Sequence, residues 1–197
     1  MDTNDLPWID VNYELEARDT LLDLIKQVPL VQADNKVLHS YDEKYSRAHN
    51  LVIGAVFEKE RVFAEGYDMQ PLPNQEIYKE LLEETHKASM QAMKDLGLPQ
   101  EIMFTVGIFI KGSKKTKYDF HTDGFRNCNI SFPLSLEGSK VIWKKEDNYY
   151  EKIYNSTTVL DTYTPHAVDN FTDNDRWLYQ LTFRPDLYID DIRKYFQ

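Results

Sequence analysis

The apolar residues of this 197-residue chain change their spacing near Gly97, and this change limits the folds available to it. Before Gly97 they recur every three or four residues, which is typical of amphipathic helices. After Ile102 they recur every second residue in short runs separated by polar turns, which is the pattern of strands buried on one face. A helical first half followed by many short strands predicts an α+β fold rather than an alternating α/β sheet.

Two amphipathic helices are predicted in the first half of the chain. The first ends at Pro29, and the second runs from about Gln75 to Leu96, followed by Gly97 as a left-handed cap residue. The segment 51–57 has the composition of a strand, but its pattern does not place it in the fold. The apolar stripe of the first helix comprises Leu21, Leu24, Ile25 and Val28, and that of the second Ile77, Leu81, Ala88, Ala92 and Leu96.

Six or more short strands are predicted after Ile102, which indicates an antiparallel jelly-roll core backed by the helices. One of these strands, NCNISFPLSL, has an apolar face and a polar face. We expect a single domain over residues 1–197, in which 1–100 are mainly helical support and substrate-side elements and 101–190 form the jelly-roll core with the functional site. The apolar face of NCNISFPLSL carries Cys128, Ile130, Phe132, Leu134 and Leu136, and the polar face carries Asn129, Ser131 and Ser135.

The charge balance and the cysteine content exclude several classes of protein. The 33 acidic residues exceed the 23 Lys and Arg residues, for a formal net charge of −10, which argues against nucleic acid and anionic membrane surfaces as partners. A single cysteine, Cys128, excludes an intramolecular disulfide framework and a cysteine-based zinc site. No apolar run is long enough to span a membrane, and residues 1–10 do not resemble a signal peptide. We therefore expect a cytoplasmic protein.

Two histidines lie in sequence settings suited to metal binding. In the segment YDFHTDG, His121 and Asp123 are two residues apart, so an extended backbone would direct both side chains to one face. His166 follows in TPHAV, two or three predicted strands later, which is far enough for the chain to return beside the first segment. Two histidines and one carboxylate form the facial triad of non-haem Fe(II) oxygenases. Each element alone is also compatible with a surface turn or a structural histidine.

Arg176 lies ten residues beyond His166 and begins the largely apolar strand RWLYQLTF. An arginine that points inward from such a strand needs an anionic partner, because an unpaired buried charge is costly. A carboxylate matches the two-pronged geometry of the guanidinium group. The alternative is a salt bridge to Asp173, Asp175 or another nearby acid.

These residues and their spacing resemble the Fe(II)/2-oxoglutarate-dependent oxygenases, and among them most closely the aspartyl/asparaginyl β-hydroxylase branch. The resemblance covers residues 104–187 and rests on FHTDGFRNCNISFPLSL and VLDTYTPHAVDNFTDNDRWLYQLTFRPDL. It implies a double-stranded β-helix core, with His121, Asp123 and His166 as iron ligands. It also implies that Arg176 binds the far carboxylate of 2-oxoglutarate.

Two positions depart from that branch. Ser131 stands where its animal members carry a second arginine for the co-substrate, and those members lack the carboxylate ligand that Asp123 offers here. On the second point the chain is similar to the wider superfamily, which includes prolyl hydroxylases and free-amino-acid hydroxylases. Asn129 and Ser131 are candidates for hydrogen bonds to the co-substrate, with a solvent-facing position as the alternative.

The resemblance implies a dioxygenase that uses Fe(II), 2-oxoglutarate and O₂ to hydroxylate a C–H bond, releasing succinate and CO₂. The substrate would be a small molecule or a protein side chain. Two alternatives remain open on the residues alone. One is a non-catalytic binding or assembly protein on the same β-fold. The other is a cupin-like metal enzyme that does not use 2-oxoglutarate and keeps Arg176 in a salt bridge.

Overall fold

The computed structural model describes residues 5–27, 51–56, 61–65, 75–112, 114–123, 126–135 and 139–196. Within these residues the chain forms two facing β-sheets and three α-helices. The elements in chain order are β1 (Trp8–Asp10), α1 (Arg18–Gln27), β2 (Leu51–Val56), β3 (Arg61–Glu65), α2 (Gln75–Asp95), β4 (Met103–Gly112), β5 (Thr116–His121), β6 (Cys128–Pro133), β7 (Ser139–Lys145), β8 (Asn148–Tyr154), β9 (Thr158–Asp161), β10 (His166–Asn170), β11 (Arg176–Phe183) and α3 (Ile189–Arg193).

The strands of the C-terminal half are divided between the two sheets. In the described part of the chain the larger sheet has the order β1-β9-β6-β11-β4-β2-β3, and the smaller has the order β5-β10-β7-β8. The strand pairs within both sheets are antiparallel. Two facing antiparallel sheets connected in this way form a jelly roll, which is the double-stranded β-helix. The predicted α+β class and the predicted core are confirmed.

Strand β11 separates the two layers of the core. Its residues are buried along the whole strand, and successive side chains point to opposite faces. Tyr179 packs with Phe132 of β6 in the cluster beneath the helices, whereas Leu178 packs with Val141 and Trp143 of β7 between the sheets. Arg176 and Gln180 share the side of Leu178. The inner face of β11 therefore carries polar groups into the space between the two sheets.

Helices α1 and α2 cover the outer face of the larger sheet, as predicted. Leu21 and Leu81 are fully buried there, and burial of one such side chain stabilises the fold by about 1.5–3 kcal/mol. The hydroxyl groups of Ser89 and Tyr179 are hydrogen-bonded at 2.7 Å, which connects α2 to β11. Gly97 follows α2 with a φ of 65°, the left-handed conformation expected of a cap. None of the described helices has the length and apolar character needed to cross a membrane.

The first half of the chain contributes strands as well as helices. Strand β2 pairs with β4 in the larger sheet, and β3 pairs with β2, so most of the strand-like run 51–57 now has a place in the fold. Strand β1 pairs with β9 at the opposite edge. The prediction of mainly helical support did not include these strands, because the strands that β1 and β2 join in the sheet lie far along the sequence. The predicted positions Val28, Leu136 and Phe57 lie outside the described residues.

Cys128 is expected to be unreactive in the folded protein. The residue is fully buried, its thiol donates a hydrogen bond to the carbonyl oxygen of Leu187 at 3.5 Å, and burial raises the pKa of the thiol. Because the thiolate is the reactive form, a thiol reagent at pH 8 should modify no cysteine in the native protein and one in denaturant. Rapid modification of the native protein would show that this face of β6 is exposed.

Candidate metal centre

The two predicted histidine ligands face each other across neighbouring strands. His121 ends β5, His166 begins β10, and the two residues are register partners with ring centroids 4.4 Å apart. One ligand atom each from His121, Asp123 and His166 lies within 4.8 Å of the other two. The fold therefore brings the three candidate ligands into one group.

Asp123 reaches this group by a route that differs from the predicted strand alternation. Strand β5 ends at His121, and Asp123 lies in the loop that follows. Its backbone N–H donates to the carbonyl oxygen of Thr162 at 3.0 Å, which holds the loop against the segment that leads to His166. As a result, Oδ1 of Asp123 lies 3.8 Å from Nε2 of His121.

Hydrogen bonds to backbone carbonyl oxygens orient both imidazole rings. Nδ1 of His121 is 2.8 Å from the carbonyl oxygen of Asp119, and Nδ1 of His166 is 3.1 Å from that of Thr164. A carbonyl oxygen only accepts, so each Nδ1 is the donor, and in a neutral ring the lone pair then lies on Nε2. Histidine ligands of metals usually have this arrangement, in which the second ring nitrogen donates to a fixed acceptor.

The environment of His166 keeps its ring neutral. The residue is 6% exposed, and burial, together with the neighbouring His121, lowers its pKa to about 4. At neutral pH the imidazole is therefore unprotonated, which is the form that binds a metal ion. The His121 side chain is 34% exposed, so the group is open to solvent on that side.

Asp161, which the sequence analysis did not single out, shapes the turn before His166. Its Oδ1 accepts hydrogen bonds from the backbone N–H groups of Tyr163 and Thr164 at 2.9 and 3.0 Å. Its Oδ2 accepts from the Thr164 hydroxyl at 2.6 Å. These three bonds place the Thr164 carbonyl that orients His166. An aspartate ahead of a polar turn in DTYT was the available sequence signal.

Arg176 lies at the start of β11 and is 3% exposed. Its Nη1 donates to the Ser139 hydroxyl of β7 at 2.9 Å, across the space between the sheets. The acids that were its alternative partners contact lysines: Asp175 pairs with Lys111 at 2.9 Å, and Asp173 pairs with Lys115 at 2.6 Å. The guanidinium group is thus directed inward, beside a hydroxyl group.

The Arg176 contact and the histidine pair lie at opposite ends of β7. Ser139 begins this strand, and Trp143, four residues later, is the register partner of His166. At the usual strand rise, these two positions are about 13 Å apart. Buried Val141 and Leu178 pack between the sheets along this stretch. The cationic end of this space is therefore separated by apolar side chains from the end that carries the candidate metal ligands.

The candidate residues Asn129 and Ser131 are fully buried, so the solvent-facing alternative is wrong. Ser131 Oγ accepts a hydrogen bond from Nε2 of Gln180 at 2.7 Å and lies 3.4 Å from Oδ1 of Asn129. Nδ2 of Asn129 and Oγ1 of Thr182, its register partner, are buried and have no hydrogen-bond partner among the described residues. Unsatisfied buried polar atoms of this kind often mark a site for a ligand or for water.

Arg126 is a second residue of the site that the sequence analysis missed. It is 8% exposed, its Nε donates to Oδ2 of Asp123 at 2.5 Å, and its Nη1 donates to Oε1 of Gln180 at 2.8 Å. An arginine three residues after a candidate carboxylate ligand was the available signal. Its partner Gln180 lies on β11, so the contact depends on tertiary structure.

The donor set fits a divalent first-row transition metal. Two imidazoles and one carboxylate are the ligands of the facial triad, which leaves the opposite side of an octahedral ion open. Cys128 points away from this group into the cluster beneath the helices. The ligand chemistry of the described residues is therefore suited to Fe(II), Mn(II) or Co(II).

One solved structure with this fold is a protein of the 2OG-Fe(II) oxygenase family. An oxidoreductase of the 2OG-Fe(II) oxygenase family from Burkholderia pseudomallei aligns with a TM-score of 0.57 and 11% identity, covering 95% of this chain and 88% of that one. A prolyl-4-hydroxylase from Pseudomonas putida gives a TM-score of 0.48 and 13% identity, covering 93% and 95%. No protein-family model and no curated protein matches the sequence. At this identity the similarity to the Burkholderia protein establishes the fold.

Proposed function

We propose that this protein is an Fe(II)- and 2-oxoglutarate-dependent dioxygenase that hydroxylates a C–H bond of a small molecule or a protein side chain. The observation that carries the proposal is the convergence of His121, Asp123 and His166, whose ligand atoms lie within 4.8 Å of one another. The aspartyl/asparaginyl β-hydroxylase branch remains the family prediction, on the motifs quoted above.

The residues have distinct roles in this proposal. His121, Asp123 and His166 would hold the iron, and Arg176 with the Ser139 hydroxyl would bind the far carboxylate of 2-oxoglutarate. The metal with its co-substrate supplies the oxidising chemistry, in which O₂ is consumed and succinate and CO₂ are released. The apolar walls between the two ends suit the methylene groups of a five-carbon dicarboxylate. Asn129 and Ser131, buried beside Gln180, would offer it further hydrogen bonds.

The substrate would approach the metal from the side of His121. This ligand is the more exposed of the two histidines, and the neighbouring Phe120 packs edge-to-face with Tyr149 at 6.0 Å on the surface. Both aromatic side chains are exposed, so they offer apolar contacts beside the opening. The formal charge of −10 supports a neutral or cationic substrate and argues against a nucleic acid.

Anaerobic titration of the metal-free protein with Fe(II), and then with 2-oxoglutarate, tests this function. A 2-oxo acid chelated to ferrous iron gives a weak visible absorption band, and we expect this band to appear and saturate. Metal binding that 2-oxoglutarate does not alter would support the cupin-like alternative. Absence of metal binding, with an unchanged melting temperature, would support the non-catalytic alternative and contradict the proposal.

Gly112→Ala is expected to weaken 2-oxoglutarate binding without affecting the metal. A Cβ at this position would lie 3.2 Å from Nε and 3.6 Å from Nη2 of Arg176, which is tight enough to displace the guanidinium group by a few tenths of an ångström. A displacement of this size should weaken 2-oxoglutarate binding by the contribution of one hydrogen bond, about 1 kcal/mol, which is roughly a fivefold increase in the dissociation constant. Titration with 2-oxoglutarate measures this change, and Mn(II) affinity of the same variant is the control. An unchanged 2-oxoglutarate affinity would show that the position of Arg176 is unimportant.

A further inference from the structure

Arg126 connects the candidate carboxylate ligand to the larger sheet. Its Nε donates to Oδ2 of Asp123, and its Nη1 donates to Gln180, whose own amide donates to Ser131 on the adjacent strand. The two nitrogens belong to one rigid planar group, so the orientation of Gln180 on β11 is passed on to the carboxylate of Asp123. A lysine could not make both contacts in this geometry.

The backbone around Arg126 is also held in place. The N–H of Asp123 donates to the carbonyl oxygen of Thr162, and the Thr162 hydroxyl donates to the carbonyl oxygen of Arg126 at 3.2 Å. The loop is therefore attached to Thr162 at residues 123 and 126. With the backbone held, the main remaining freedom of Asp123 is rotation of its carboxylate group. The contact with Arg126 opposes this rotation.

The two carboxylate oxygens of Asp123 have different surroundings. Oδ1 faces Nε2 of His121 at 3.8 Å, and Oδ2 accepts the hydrogen bond from Arg126 at 2.5 Å. Carboxylates can bind a metal ion through one oxygen or through both. Binding through both would fill one of the three positions that a facial triad leaves open on an octahedral ion. A two-point chelator and O₂ together require all three.

We propose that Arg126 is a positioning residue that holds Asp123 as a one-oxygen ligand, with Oδ1 presented to the metal and Oδ2 retained by the guanidinium group. This role rests on the proposed metal site and defines how many of its positions stay open. Arg126 acts through Asp123 and does not itself contact the metal. The contact with Gln180 is part of the role, because it fixes the direction in which the guanidinium group points.

The number of water molecules on bound Mn(II) tests this proposal without any turnover. Water-proton relaxation of the Mn(II)-loaded protein reports the number of exchangeable waters, and we expect three for the wild type. In Arg126→Gln, Asp123 is expected to bind through both oxygens, so the relaxation enhancement should fall by about one third. Arg126→Lys keeps the charge but lacks the second nitrogen and should not restore the wild-type value. Gln180→Leu should also lower the number of exchangeable waters on Mn(II).

The control is Arg184→Gln, because Arg184 is an exposed arginine that contacts Asp186 on the surface. Equal relaxation in Arg126→Gln and the wild type would overturn the proposal. If Arg126→Gln does not fold, Arg126→Lys and Gln180→Leu test the proposal in its place. Wild-type relaxation in both of these variants would also overturn the proposal. Failure of the wild type itself to bind Mn(II) would contradict the proposed function, which distinguishes the two failures.

Discussion

His166→Ala is expected to abolish the absorption band that 2-oxoglutarate forms with the Fe(II)-loaded protein, and with it succinate formation. The imidazole is one of three donors, it is buried, and its ring is neutral because burial lowers its pKa to about 4. Loss of a contact that merely orients a metal ligand typically costs about 10–100-fold in metal affinity. Loss of the ligand itself should cost more than about 100-fold, measured by Fe(II) or Mn(II) titration.

A matched control is His86→Ala, which removes an imidazole from the exposed side of α2, far from the candidate site in the sequence. This variant should bind metal and 2-oxoglutarate as the wild type does. The melting temperature of metal-free His166→Ala should be compared with that of the wild type, so that loss of binding is separated from loss of folding. A folded His166→Ala protein with wild-type metal affinity would contradict the assignment of the metal centre.

Arg176→Met is expected to raise the 2-oxoglutarate concentration needed for half-saturation by about 100-fold. The guanidinium group is buried beside the Ser139 hydroxyl, so a carboxylate bound there would form charge-assisted hydrogen bonds in a site shielded from water. Such bonds contribute about 1.5–3 kcal/mol, and the upper value corresponds to about two powers of ten in affinity. The visible band provides the titration signal.

Metal binding should respond differently from 2-oxoglutarate binding in this variant. The Arg176 contact lies about 13 Å along β7 from the register partner of His166, so Mn(II) affinity measured without 2-oxoglutarate should change less than about twofold. Arg184→Met, which removes an exposed arginine just after the end of β11, is the control. An unchanged 2-oxoglutarate requirement in Arg176→Met would mean that the carboxylate binds elsewhere, and it would favour the cupin-like alternative.

Much of the fold follows from local sequence patterns. The helical stripe around Leu21 and Leu81 and the alternation in β6 and β11 reflect which side chains must leave water, and this information is local. The segment 51–56 was not placed, because a short apolar run shows neither its partner nor its position in a sheet. Its place beside β4 depends on pairing between residues 50 or more positions apart in the chain.

The candidate site likewise combines residues that the sequence indicates with contacts that only the tertiary structure shows. The residue types and spacing of His121, Asp123, His166 and Arg176 were sufficient to predict a metal centre and an anion contact from the sequence. The partners that orient them were not visible there: Ser139 is 37 residues from Arg176, and Gln180 is 54 residues from Arg126. Contacts of this kind form only when strands from distant segments become neighbours, and no local periodicity encodes them.

The sequence by itself determined the fold class and the candidate metal ligands, because both depend on side-chain chemistry and on short-range periodicity. Only the tertiary structure decided how these residues meet. Asp123 joins the histidines because its loop is hydrogen-bonded to Thr162, and Arg126 retains one of its oxygens because β11 places Gln180 within reach. The geometry of the site is thus a property of the assembled sheets, in which each oriented side chain depends on a partner from another strand.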